Sequence, residues 1–237
     1  MIGVLVNTFA VILGSLIGML FNKGIPEKIS SAITAGLGLC TMFVGIFGAL
    51  DGKNILVVIL SITLGAIIGT LIDIDYQLNR FGKFVEVKFS RENGKVSVAQ
   101  GFVTASLVFC VGAMTIVGSL NAGIKGDNTM LFTKSLLDFM ISIVFSCTMG
   151  IGVMLSALFV LVFQGSIALL SGVIAPFLSE AVIGEMTCAG SILVFAIGTN
   201  LAGLSKFKVA NYLPAVFIPI ALCPIYDLIA NFLSTHF

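Results

Sequence analysis

The sequence predicts an all-α fold, a polytopic transmembrane helical bundle of about eight spans, and three observations carry that prediction. The chain is 58% hydrophobic and only 10% charged, against roughly 25% charged in an ordinary soluble chain, and its mean hydropathy is +1.17. Apolar runs near the length of about 20 residues that crosses a hydrocarbon core roughly 30 Å thick recur from end to end. The only sizeable hydrophilic segment, 73–97, is too short to bury a core of its own. Residues 1–237 are therefore read as one integral membrane domain, with 73–97 a cytoplasmic loop inserted between the third and fourth spans.

The first span, Ile2 to Phe21, resembles a signal peptide in length but has no basic leader, and charges instead of a cleavage site follow it, so it is read as retained. The second and third run from Ser31 to Leu50 and from Asn54 to Ile72. In the hydrophilic segment that follows, Val87, Phe89, Val96 and Val98 alternate around Asn93-Gly94, which suits a short hairpin; a helix lying on the surface is the other reading. The remaining spans are Ala99 to Leu120, Ser135 to Leu155, Ala157 to Leu178, Ala181 to Leu204 and Val209 to Leu233. The fifth and sixth are the hardest to separate, because 149–164 holds no charge: either Gly150, Gly152 and Ser156 form a tight turn, or one helix continues.

Lysine and arginine near helix ends stay preferentially on the cytoplasmic side. With eight spans and both termini outside, the inner loops carry Lys23, Lys28, Arg80, Lys83, Lys88, Arg91, Lys95, Lys206 and Lys208, and the outer ones only Lys53, Lys125 and Lys134. Merging the fifth and sixth spans moves Lys206 and Lys208 outside and weakens that asymmetry, so eight spans are preferred.

A net charge of +1 offers no field for nucleic acid. Cys40, Cys110, Cys147, Cys188 and Cys223 are odd in number and lie in apolar stretches, as small buried hydrophobes do, and no metal site is expected from them. The single histidine, His236, is C-terminal, and no Walker or Rossmann glycine pattern occurs. Neither an enzyme nor a resident cofactor is expected.

LGSLIGMLF in the first span recurs as LGAIIGTLI in the third, aligning Gly14 and Gly18 with Gly65 and Gly69, and ITAGLGLC echoes VTASLVFC. The first four spans thus read as a duplicated hairpin. GAMTIVGS (112–119) and GEMTCAGS (184–191) match across spans of opposite direction, as an inverted repeat requires, although both lie in the outer half instead of reflecting through the midplane. The glycine pairs permit close helix packing, and with it a homo-oligomer.

VNTFAVILGSLIGMLFNKGIPEKI, GAMTIVGSLNAGI and GEMTCAGSILVFAIGTNLAGL together resemble the bacterial YdfK/YqgA-like family of uncharacterised multispanning inner-membrane proteins, over essentially the whole chain. The resemblance implies a multi-pass protein of the bacterial plasma membrane and brings no substrate or catalytic residue with it.

Ionisable groups inside a span usually face a cavity or a partner. Glu185, with Thr187 and Ser191 nearby, reads equally as an ion or substrate site and as a satisfied helix contact, whereas Asp227 follows Pro214, Pro219 and Pro224, each of which removes a backbone donor. Asp138 stands one turn inside its predicted span, four residues after Lys134, so an interfacial ion pair explains it as well as a function does. Glu180 reads as a helix-start residue. Asn121 and Asn200, with Thr115 and Ser119, sit in glycine-rich segments that suit either a ligand site or helix ends. Asn7 and Gln164 read as interhelical glue. The expected activity is secondary transport or export of an unknown small solute or ion, with Glu185 and Asp227 carrying any coupled proton or cation. A passive channel, or a membrane scaffold docking a partner through the cytoplasmic loop, are the alternatives.

Overall fold

The computed structural model describes residues 1–22, 27–80 and 97–236. The hairpin expected at 87–98 therefore lies, except for its end, outside the described residues. The described chain is helical: α1 (Ile2–Asn22), α2 (Glu27–Ala49), α3 (Ile55–Ile72), α4 (74–80), α5 (Val98–Cys110), α6 (Ala113–Ile124), α7 (Thr129–Met149), α8 (Ile151–Leu169), α9 (Ser171–Ile174), α10 (Glu180–Leu201) and α11 (Pro219–His236). Short 3-10 segments cover Ala175–Phe177 and Val209–Val216.

Helices α1, α2, α3, α7, α8 and α10 are each long and apolar enough to cross a membrane. Two bent pairs complete the bundle: α5 with α6, at 62°, and the 3-10 segment Val209–Val216 with α11, at 47°. The first pair crosses the bundle and does not turn back. Its start at Val98 meets Gly152 at the beginning of α8, and its end at Gly123 meets Ala168 at the end of α8. With each pair counted as one span there are eight.

One face of the bundle gathers the N-terminus, the 50–54 turn, the 125–128 turn and 170–179; Val4, Ala122, Leu131 and Ala168 cluster there. The opposite face carries α4 and the 202–208 loop, and we call it the basic face. Helix α10 is the most enclosed span, 72% buried over its apolar window against 22% for α2, so α10 forms the core and α2 presents most of its surface outward.

The boundaries have local causes. Asn54 starts α3 by accepting the Leu56 and Val57 N–H groups on its side-chain oxygen, and Asp73 ends it at φ 50°, donating its N–H to Gly69 and Thr70 carbonyls. The fifth and sixth spans are separate: the chain reverses at Gly150, at φ 60°, a conformation open to glycine at little cost. The break thus falls earlier than the expected Leu155, and α7 starts at Thr129, six residues before the expected Ser135. Lys134, expected in an outer loop, accordingly lies within a helix. The sixth span ends at Leu169, and Pro176, which has no N–H to donate, sits in the 3-10 turn that follows.

Both glycine pairs are occupied inside the chain. A Cβ on Gly14 or Gly18 would overlap the Phe139 or Ile143 carbonyl of α7, and one on Gly65 or Gly69 would overlap Ala215 or the Asn211 carbonyl. They permit close intramolecular approach, so they lend no support to a homo-oligomer.

Candidate functional site

The fourth span is interrupted inside the bundle. α5 ends with the Val111 N–H on the Leu107 carbonyl at 2.8 Å; Gly112 follows at φ 144°, ψ 145°, and α6 starts with no side-chain cap. The backbone leaves helical geometry where no charge or proline forces it. Tertiary contacts hold the break instead. The Thr115 hydroxyl reaches back across it to donate to the Phe109 carbonyl at 3.0 Å. Val111 fills the space over Gly190 of α10, where a Cβ would collide with it. The two GxMTxxGS segments therefore meet: Gly112–Ser119 starts at the break, and Gly184–Ser191 runs along the helix that supports it.

Beside this break lies an ionic group. The Lys134 ammonium donates to Asp138 Oδ1 at 2.9 Å, and the Asn7 amide of α1 donates to Asp138 Oδ2 at 3.0 Å. Lys134 is 7% exposed and Asp138 2%. With α7 starting at Thr129, Asp138 stands about 13 Å along the helix at ~1.5 Å per residue, close to half the thickness of a hydrocarbon core. By this measure the pair lies deeper in its helix than the one turn expected for Asp138. Cys110, the last residue of α5, lies within electrostatic reach of both charges. Among the described residues, Asn7 Oδ1 and both amide atoms of the fully buried Gln164 in α8 have no hydrogen-bond partner, nor does buried Ser119 Oγ.

Glu185 is the second buried acid, 3% exposed. Its Oε1 accepts the Lys53 and Asn54 N–H groups, each at 2.7 Å, and so joins α10 to the turn between α2 and α3. Asn54 in turn caps α3, which makes Glu185 the anchor of that helix start. Its Oε2 has no partner among the described residues, and neither does Thr187 Oγ1. Ser191 is buried against α2, where a Cβ on Gly48 would overlap it. Asp227 is exposed on α11. The structure brings both acids within electrostatic reach of Cys223.

The asparagines close turns. Asn200 Oδ1 accepts the Phe207 N–H at 2.8 Å and the Ser205 hydroxyl at 2.7 Å, and its amide donates to the Phe207 carbonyl at 2.8 Å, folding the 203–208 loop back on α10. The Asn121 carbonyl accepts the Lys125 and Asp127 N–H groups at the end of α6. Glu180 opens α10 behind its cap Ser179, as expected of a helix-start acid.

On the basic face a cavity of about 380 Å³ opens between α4, α5, α10 and the 203–208 loop. Asp75, Asn79, Gln100, Asn200, Lys206 and Lys208 give it a polar mouth, and Thr104 and Ile197 line it further in. Thr104 lies about 9 Å below Cys110 along α5, by helix rise. Asn211, which sequence reasoning missed, supports this region: its buried side chain accepts the Asp75 N–H at 2.7 Å and fixes α4 against the 3-10 segment. A lone amide next to Tyr-Leu-Pro gives no periodic signal.

These features define a polytopic α-helical membrane protein with a broken span beside a buried ion pair. The chain belongs to the family described as "Protein of unknown function (DUF554)", whose model matches residues 2–224. It is 35% identical over 223 residues to the Uncharacterized membrane protein YdfK of Bacillus subtilis (strain 168), covering 92% of this chain and 94% of that one. It is 30% identical over 224 residues to the Uncharacterized protein YqgA of Escherichia coli (strain K12), covering 93% and 95%. No solved structure matches.

Proposed function

We propose that the protein is a secondary transporter of a small solute in the bacterial plasma membrane, with the basic face cytoplasmic and both termini outside. The observation that carries the reading is the interruption of α5–α6 at Val111–Gly112, next to the Lys134–Asp138–Asn7 group. Non-helical backbone at membrane depth is tolerated where it lines a cavity or is buried in protein, and discontinuous helices are where transporters commonly hold their cargo. The cavity at the basic face supplies an approach, since its α5 wall leads from Gln100 and Thr104 toward the break. Lys206 and Lys208 at its mouth suit a cytoplasmic surface. In this reading Glu185 is a structural anchor, and the centre of the site moves from Glu185 and Asp227 to Asp138.

Flux tests the reading. Purified protein in proteoliposomes is expected to give saturable movement of at least one member of a panel of labelled small cations, anions and zwitterions, reduced at least tenfold by Asp138→Asn in protein inserted to the same extent. Movement that rises linearly without saturation would favour a passive channel. No movement above protein-free vesicles for any member would sink transport.

A further inference from the structure

We propose that the Lys134–Asp138 pair is an exchange site, at which a proton leaves Lys134 as a small monovalent cation, an alkali ion or a protonated amine, takes the ammonium's place on Asp138. The proposal rests on the transport reading above and names the class of cargo and coupling ion for that same site.

The argument starts from what surrounds the pair. Helix α1 brings Asn7, an amide. Helix α5 brings the Cys110 thiol. Helices α6 and α8 contain no charged residue, and the charges of α2, Glu27 and Lys28, lie at its start, with Cys40 its one thiol. Among the described residues Lys134 is the only opposite charge set against Asp138. A buried charge in apolar surroundings is costly unless it is paired. As an ammonium on a carboxylate the pair carries net charge zero. If Lys134 gives up a proton to water, an amine and a carboxylate of net charge −1 remain. That state becomes accessible when another positive charge arrives at Asp138, which makes exchange of one proton for one monovalent cation the electroneutral step.

The site's open valences match such a cargo. Asp138 has both oxygens engaged by donors, so a cation enters by replacing the ammonium and not by filling a vacant ligand position. Once it does, the amine, now an acceptor, and Asn7 Oδ1, which has no partner among the described residues, offer further ligands. The adjacent α5 C-terminus ends in carbonyls, the negative end of a helix dipole. An anionic cargo would meet the Asp138 carboxylate and the Asn7 Oδ1 acceptor there. A divalent ion would leave the exchanged state with net charge +1.

The test uses the full-length protein in liposomes loaded with a pH-sensitive dye and diluted to impose gradients of sodium, potassium, lithium or methylguanidinium. Wild-type protein is expected to move protons against at least one of these, with saturation and with no change when a potassium ionophore clamps the membrane potential. Asp138→Asn is expected to lower that proton movement at least tenfold. Asp138→Glu, which keeps the charge and guards against mere loss of fold, is expected to retain it with an altered order of cation preference. Lys134→Gln is expected to bind or pass the cation with no proton released. Proton movement of wild-type size in Asp138→Asn overturns the proposal. Saturable flux of some other solute, equal in wild type and Asp138→Asn and without proton movement, also overturns it while leaving transport standing. Folded wild type that moves neither protons nor any solute removes both.

Discussion

Replacing Asp138 with leucine removes the acceptor for both the Lys134 ammonium and the Asn7 amide, in a place where neither finds water. Breaking a buried pair by deleting one partner typically costs about 3–5 kcal/mol, because the other charge is left uncompensated. Lys134→Met leaves the carboxylate with the Asn7 amide alone and is expected to cost a similar ~3–5 kcal/mol. In the double variant Lys134→Met/Asp138→Leu both charges are gone and apolar side chains of similar volume fill the space, so its cost should fall to about zero or even change sign. The three variants thus form a double-mutant cycle whose coupling energy exceeds ~3 kcal/mol, well above the ~0.6 kcal/mol average for polar contacts between membrane helices. Unfolding of the reconstituted protein by denaturing detergent, followed by circular dichroism, reads all three free energies on one scale. Singles costing under about 1 kcal/mol each, with an additive double, would mean that the pair is solvated like a surface ion pair, and the reasoning about a dry exchange site would fail.

Glu185→Ala removes two charge-assisted hydrogen bonds from the start of α3 and should cost about 3 kcal/mol, while Glu185→Gln, still able to accept them as neutral bonds, should cost roughly half that; the same unfolding assay reads both, and flux in Glu185→Gln should stay near wild type. Gly69→Ala drives a Cβ into the Asn211 carbonyl and should destabilise by about 1–3 kcal/mol, loosening α4 as well. Gly36→Ala, where a Cβ meets nothing within 4 Å, should instead be neutral or stabilise α2 by up to ~1 kcal/mol. In the 125–128 turn the Thr129 backbone N–H, bonded to Asp127 Oδ1 at 3.0 Å, holds that exposed carboxyl below its ordinary range. A depressed folded value means the contact contributes fully above the unfolded value and is lost only as pH falls through the lowered one. Hydrogen-exchange protection of the Thr129 amide should therefore persist from neutral pH down through the ordinary aspartate range, and its loss near neutrality would contradict the assignment.

The helices were legible because hydropathy and span length are set by the bilayer and not by the neighbours of a residue. Boundaries were legible only where a local device marks them, as Asn54 does for α3. The start of α7 was missed because Lys134 reads as a loop charge until Asp138, one turn on, is recognised as its partner; the pair neutralises itself and permits both residues to stay within the helix. With the start set at Ser135, Asp138 stood one turn inside the span instead of about two and a half. The break at Gly112 was hidden for a different reason. It follows Phe-Cys-Val and precedes Ala-Met-Thr, with no proline or charge, and it is held by a hydroxyl six residues from its acceptor and by Val111 seated on Gly190 of a distant helix. Its likeness to 184–191 marks 112–119 as a matched segment without saying that the backbone departs from helix there. Asn7 was read as interhelical glue, and the amide does join α1 to α7, but that its partner is a carboxylate depends on the parallel packing of α1 on α7, which Gly14 and Gly18 permit.

The claim that a broken span gives access to the centre of this bundle is tested most directly at Cys110, 4% exposed at the end of α5. Protein with its other cysteines replaced would be placed in sealed vesicles and treated with a membrane-impermeant methanethiosulfonate from one face at a time. The account predicts slow modification from the basic face, through the cavity lined by Thr104, and modification from the opposite face as well once a cation gradient drives the exchange. Modification from neither face, with full reaction after unfolding in detergent, would show a sealed helical core and contradict the account.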